Sequence, residues 1–138
     1  MLRSAIAIVV GFVYIGALSF GADALLHGLL PTAVGASGRI ESTPVLLLMI
    51  GYVGIFAVSG CYLTARLAPG HELRHALFLG ALGLAFNVVG TVQLWSTAPA
   101  WYHAISLLTV MPYAYLGGRL RERELARGGR RLPAVLAV

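Results

Sequence analysis

The sequence predicts an all-α, polytopic membrane protein, a bundle of four transmembrane helices with both chain ends in the cytoplasm. Three observations carry that expectation. Of 138 residues, 59% are hydrophobic and only 11% are charged, whereas a soluble domain carries about 25% charged residues. The apolar excess does not stop after the N-terminal segment but continues to about Gly118, which argues against a leader followed by a water-soluble body. Nine of the ten basic residues, all arginines, fall at alternate junctions between the apolar runs.

Crossing a hydrocarbon core of roughly 30 Å takes about 20 apolar residues in a helix. Ser4 to Ala22 is free of charge before Asp23, and Val45 to Ala65 is free of charge between Glu41 and Arg66. The uncharged run from Ala76 to Gly118 is about twice a single span, and the segment Trp95 to Trp101, with Pro99 and small polar residues, divides it. The expected helices are therefore about 4–28, 45–66, 74–95 and 101–118, followed by a basic tail over 119–138. Ser42-Thr43-Pro44 reads as a cap with proline in the first turn of helix 2. Pro112 removes one backbone bond from helix 4 and is expected to kink it. Ala22-Asp23-Ala24 has the pattern of a leader cleavage site, but the preceding run exceeds the roughly 7–15 residues of a leader core. Helix 1 is accordingly expected to be retained.

Arginine placement sets the orientation. Arg3, Arg66, Arg74 and the six arginines after helix 4 share one side, and Arg39 alone lies on the other. The positive-inside rule puts the nine-arginine side in the cytoplasm. Trp95, Trp101 and Tyr102 mark the opposite interface, with Tyr62, Tyr113 and Tyr115 near the cytoplasmic one. The net charge of +5 is thus expected to meet anionic lipid rather than nucleic acid. Cys61 is the only cysteine, so no intrachain disulfide forms. Tyr-Leu-small-small-Arg-Leu recurs at 62–67 and 115–120. Because helices 1 and 3 do not match, shared interfacial anchoring is preferred to a duplicated hairpin.

Three groups of residues invite a chemical reading. On helix 3, Ala76, Gly80, Gly83, Asn87 and Gly90 recur every three or four positions. Such a stripe lets a neighbouring backbone approach, with Asn87 as a polar pin worth about 0.6–2 kcal/mol. Packing is preferred to a pore-lining role, and helix 3 is expected to be central. Asp23 lies about 28 Å along helix 1, near the edge of the hydrocarbon core. His27 shares its face and His103 opens helix 4 on the same side. Asp23, His27 and His103 could bind a metal, or the two histidines a haem. Solvated interfacial residues are the preferred reading, and no cofactor is predicted. Finally, His71-Glu72-Leu73-Arg74-His75 satisfies H-E-x-x-H, the zinc-peptidase pattern. It follows Pro69-Gly70 in a charged turn, sets Arg74 beside the supposed metal, and finds no third ligand except Glu122 or Glu124. The match is read as a coincidence in a turn where Glu72 suits a helix N-terminus.

In the tail, Arg119, Arg121 and Arg123 alternate with Glu122 and Glu124, and Arg127, Arg130 and Arg131 surround Gly128-Gly129. A short interfacial helix over about 119–127 with a flexible end is expected, each arginine worth about 1 kcal/mol at an anionic leaflet.

Gly60-Cys-Tyr-Leu-Thr-Ala-Arg-Leu-Ala-Pro69, Arg74-His-Ala-Leu-Phe-Leu-Gly80 and Leu116-Gly-Gly-Arg-Leu120 resemble segments of small, uncharacterised four-helix proteins of the bacterial inner membrane. The resemblance implies a bacterial, multi-pass inner-membrane protein. The middle of helix 1, Phe12 to Leu18, lacks the carboxylate that a resemblance to small multidrug transporters would need. The first functional expectation is a non-enzymatic structural or accessory subunit packing with other membrane proteins or with itself. The alternatives are an oligomeric transporter or channel for small solutes or ions, and a haem- or metal-binding protein with a site on the outer side.

Overall fold

The computed structural model describes residues 2–30 and 38–129, and over these the chain is all helical. Helix α1 runs Leu2–Leu29, α2 Thr43–Leu67, α3 Glu72–Gln93 and α4 Ala100–Gly129, with a short 3-10 turn at Trp95–Thr97 between the last two. The first three are long and apolar enough to cross a membrane. They are apolar on all sides, as helices immersed in lipid are. By length and composition α4 does not join them. Its uncharged stretch contains Trp101, Tyr102, His103, Pro112, Tyr113 and Tyr115, which dilute its aliphatic content.

Local chemistry sets the ends of these helices. Ser42 is the N-cap of α2 and Pro44 sits in its first turn, where a missing N–H costs nothing. Beyond α2, Pro69 and Gly70 turn the chain, with φ +112° at Gly70 and φ 52° at His71. Glycine is the residue that takes the first conformation without strain. Glu72 opens α3, its carboxylate meeting the positive end of the helix dipole. At the far end, the Thr97 N–H and hydroxyl both donate to the Leu94 carbonyl, at 3.0 and 2.7 Å, tightening the turn before Pro99.

Two expectations are corrected here. Helix 4, expected to end at 118, instead continues without a break to Gly129. The more buried central helix is α2, with six buried residues against three in α3. The stripe on α3 instead faces α4 in antiparallel register. Ala76 meets Gly118, Gly80 meets Ala114, Gly83 lies opposite Val110, and Asn87 bonds Ser106.

The bundle has two ends, named here by their residues. The arginine end holds Arg3, Arg66, Arg74 and Arg119; the tryptophan end holds Trp95 and Trp101. Towards the arginine end the helices touch backbone to backbone. A Cβ on Gly11 would collide with the Thr64 hydroxyl and lie 3.0 Å from the Gly60 carbonyl, and one on Gly117 would lie 2.6 Å from the Val58 carbonyl. Thr64 is fully buried and donates to the Ala7 carbonyl at 3.1 Å, linking α2 to α1. Cys61, Ala65, Ala76, Leu79 and Ala114 complete this core. A second, smaller core of Ile40, Leu46 and Ala98 closes the tryptophan end. There the Ile40 N–H donates to the Thr97 carbonyl at 2.9 Å and ties the two connecting segments together.

Candidate functional site

Between the two cores the helices stand apart. In the tryptophan half, a cavity of about 240 Å³ is lined by seven polar residues: Asp23, Asn87, Thr91, Thr97, Tyr102, His103 and Ser106. Ile40, Leu46, Met49 and Ala98 supply much of its apolar wall. Asn87, Tyr102 and Ser106 also line a neighbouring cavity of about 140 Å³, whose remaining wall is mostly aliphatic and includes Ile15, Val53 and Leu79. The cavity nearer the tryptophan end is the more polar, and the one nearer the middle of the bundle the more apolar.

Each polar group has a definite setting. Asp23 is half-buried on α1, and its carboxylate accepts a hydrogen bond from the Tyr52 hydroxyl on α2. The Asn87 amide donates to the Ser106 hydroxyl at 2.9 Å, and the Thr91 hydroxyl donates to the Asn87 carbonyl oxygen at 3.3 Å. Ser106 is therefore held by an amide, and among the described residues no histidine or carboxylate is hydrogen-bonded to it. His103 is only 5% exposed, and its Nε2 has no hydrogen-bond partner. Its ring stacks on Trp95 at 5.2 Å and meets the edge of Tyr102 at 5.7 Å. A buried polar atom without a partner is uncommon in a folded protein.

The structure brings Asp23 and His103 to one cavity but leaves His27 outside it. His27 is exposed, and its Nδ1 donates to the backbone carbonyl of Asp23 at 2.7 Å. Asp23, His27 and His103 thus do not converge as three metal donors. His71 lies ahead of α3 in a left-handed conformation, and its carbonyl accepts from His75 Nδ1 at 3.1 Å. Glu72 opens the helix, Glu122 pairs with Arg119 at 3.0 Å, and Glu124 pairs with Arg121 at 2.7 Å. Among the described residues no three histidine, cysteine or acidic side chains are grouped to hold a metal ion.

In the stripe, Gly80 packs against Ala114, Gly83 stands 3.9 Å from Val110, and Gly90 looks onto open space at the polar cavity. Of the basic residues expected at lipid, Arg119 and Arg121 are engaged with glutamates, while Arg123 and Arg127 stand exposed. Arg130 and Arg131 lie outside the described residues. The Tyr62 hydroxyl donates to Glu124 at 2.7 Å, and with Arg121 it holds that carboxyl below its ordinary range. Arg119 instead lies 5.6 Å over the Tyr115 ring. The two Tyr-x-x-x-Arg segments therefore serve different contacts.

Two features had not been singled out from the sequence. Tyr52 pairs with a residue 29 positions away, and only the antiparallel register of α1 and α2 would place the two together. Ala17, Gly21, Ala24 and Gly28 form an exposed stripe along α1, flanked by Phe20 and Leu25. Nothing among the described residues lies within 4 Å of a Cβ at Gly21 or Gly28. The four-three-four spacing was the available signal. Comparison with protein-family models, curated proteins and solved structures found no match to the chain.

Proposed function

We propose that the protein is a multi-pass protein of the bacterial inner membrane, with four spans and both ends in the cytoplasm. In this reading it is a non-enzymatic accessory subunit that packs against a helix of another membrane protein. The observation that carries the second half is the stripe Ala17, Gly21, Ala24 and Gly28, which lies exposed between the ridges of Phe20 and Leu25. Inside lipid no hydrophobic force drives helices together, and close backbone approach over small residues is a main source of association. The glycines buried in this bundle are already used in that way; those of the α1 stripe are free among the described residues.

Orientation rests on nine arginines against one. The fourth span rests on the 19 uncharged residues from Ala100 to Gly118, about 28 Å of helix. A channel reading is less well supported, because Cys61, Ala65, Ala76, Leu79 and Ala114 close the arginine half with apolar atoms.

The test has two parts. A fluorescent-protein fusion at the C-terminus should fluoresce in the cytoplasm, and fluorescence lost in favour of a periplasmic reporter would refute the orientation. A photo-crosslinker at Gly21 in native membranes should capture one stoichiometric partner that a crosslinker at Phe78 misses. Gly21→Leu should abolish copurification of that partner in mild detergent. Equal capture from both faces, or only a second copy of this chain, would refute the accessory reading.

A further inference from the structure

We propose that the cavity near the middle of the bundle is a binding site for a small neutral molecule whose apolar body is the size of one ring. This goes beyond the accessory reading and does not rest on the α1 face. The cavity measures about 140 Å³ and takes its wall from all four helices, with Ile15 of α1, Val53 of α2, Leu79 of α3 and Val110 of α4 among the lining residues. Protein interiors are packed at crystal-like density, and voids larger than a water molecule are few. An unfilled void lowers stability in proportion to its volume.

Small side chains keep this space open. Ala57, Gly80 and Gly83 all line it. Packing fixes Gly80, because a Cβ there would strike Ala114. Gly83 is under no such demand. Among the described residues an added Cβ would have one neighbour within 4 Å, Val110 at 3.9 Å. Glycine inside a helix is less stable than alanine, yet glycine stands where a larger side chain has room.

The chemistry of the wall sets the class of ligand. Among the described residues no charged side chain lines the cavity. An ammonium or carboxylate inside it would lose its hydration without meeting a counter-charge. The polar groups of three lining residues are already engaged. Asn87 and Ser106 bond each other, and the Thr109 hydroxyl donates to the backbone carbonyls of Ile105 and Ser106. Most of the remaining wall is aliphatic. The volume sets the size, because an engineered apolar cavity of roughly 150 Å³ stays dry and takes up benzene. Neutral apolar molecules also concentrate in the surrounding bilayer.

The experiment uses the full chain in lipid nanodiscs, with empty nanodiscs as the blank for partition into lipid, and follows fluorobenzene by fluorine NMR. The chain should take up fluorobenzene saturably above the blank, one molecule per chain, and benzene should displace it. Two competitors test the class: 1,3,5-triisopropylbenzene is neutral but too wide, and benzylamine is charged at neutral pH. Each should compete at least about tenfold more weakly than benzene. Gly83→Leu and Ala57→Leu enlarge two lining residues, and either should weaken uptake at least about tenfold. Gly16→Ala, at a position with open space that does not line the cavity, should leave uptake unchanged. Melting followed by tryptophan fluorescence separates lost binding from lost folding, and the competitor series needs no variant. Uptake that does not saturate, competition by triisopropylbenzene or benzylamine equal to that by benzene, wild-type uptake in a folded Gly83→Leu or Ala57→Leu protein, or an equal loss in Gly16→Ala would each overturn the proposal. None of these outcomes bears on capture of a partner at Gly21, so the two readings fail separately.

Discussion

The arginine half and the tryptophan half of the bundle use glycine in opposite ways. Gly11, Gly60, Gly80, Gly117 and Gly118 stand where a methyl group would strike a neighbouring helix. Gly16, Gly21, Gly51 and Gly90 stand where it would meet nothing among the described residues. These five form a packing surface and those four leave room, whereas Gly54, midway along α2, is also packed, since a Cβ there would lie 2.8 Å from the Tyr113 ring. The same contrast runs through the polar groups. Thr64 spends its hydroxyl on a carbonyl of α1 in a closed interface, whereas the buried Nε2 of His103 has no hydrogen-bond partner among the described residues. One bundle is thus closely packed at one end and more open at the other.

The largest effect that would test this contrast is expected at Gly117. Its Cβ would press on the backbone of α2, with the Val58 carbonyl at 2.6 Å and the Tyr62 nitrogen at 2.8 Å. Backbone cannot yield as a side chain does, so Gly117→Ala should cost about 1–3 kcal/mol, read from unfolding in mild detergent. A neutral result would mean that the arginine half is not tightly closed. Asn87→Leu removes the bond between α3 and α4 and should cost about 1 kcal/mol. The same loss in an Asn87→Leu, Ser106→Ala double variant as in the single one would locate the effect in that pair.

In the open half the sign reverses. Gly51→Ala should leave stability unchanged or raise it by up to about 0.5–1 kcal/mol, because alanine is the better helix former and finds empty space. Destabilisation there would show that the surface is already occupied. The smallest effect concerns pH at the arginine end. Glu124 has its carboxyl held below the ordinary 4.5, first by the Tyr62 hydroxyl and then by Arg121. A lowered value in the folded state means that this contact is complete above pH 4.5 and is lost as pH falls through the lowered value. Amide exchange over 119–127 should quicken in that window, and Tyr62→Phe should remove most of the pH step.

The sequence exposed some of this structure and concealed the rest for physical reasons. Long uncharged runs locate helices because lipid demands them, and α1, α2 and α3 lie within two residues of the expected bounds. The seam between α3 and α4 was visible as the stripe from Ala76 to Asn87. The α1–α2 contact was not, because a helix apolar on every side shows no preferred face. Gly117-Gly118 looked like the end of a helix. Two helices packed on those glycines keep them helical, and tertiary contact overrides propensity. Arg119–Glu122 and Arg121–Glu124, three residues apart, then support the turns that follow. Asp23 and His103 were named from the sequence as neighbours at one level. The cavity between them depends on three-dimensional spacing that no residue pattern records.

The unbroken course of α4 has a mechanical consequence. Its 30 residues make a rod of roughly 45 Å, with charged residues at one end and His103 at the other. A hinge at Gly117-Gly118 would have absorbed any push on Arg127; a pinned helix conducts it. Pro112 is a compliant point, because the ladder lacks a bond there. It lies between the clamped segment and Ser106, so bending there would tilt the cavity wall while the arginine core stayed still.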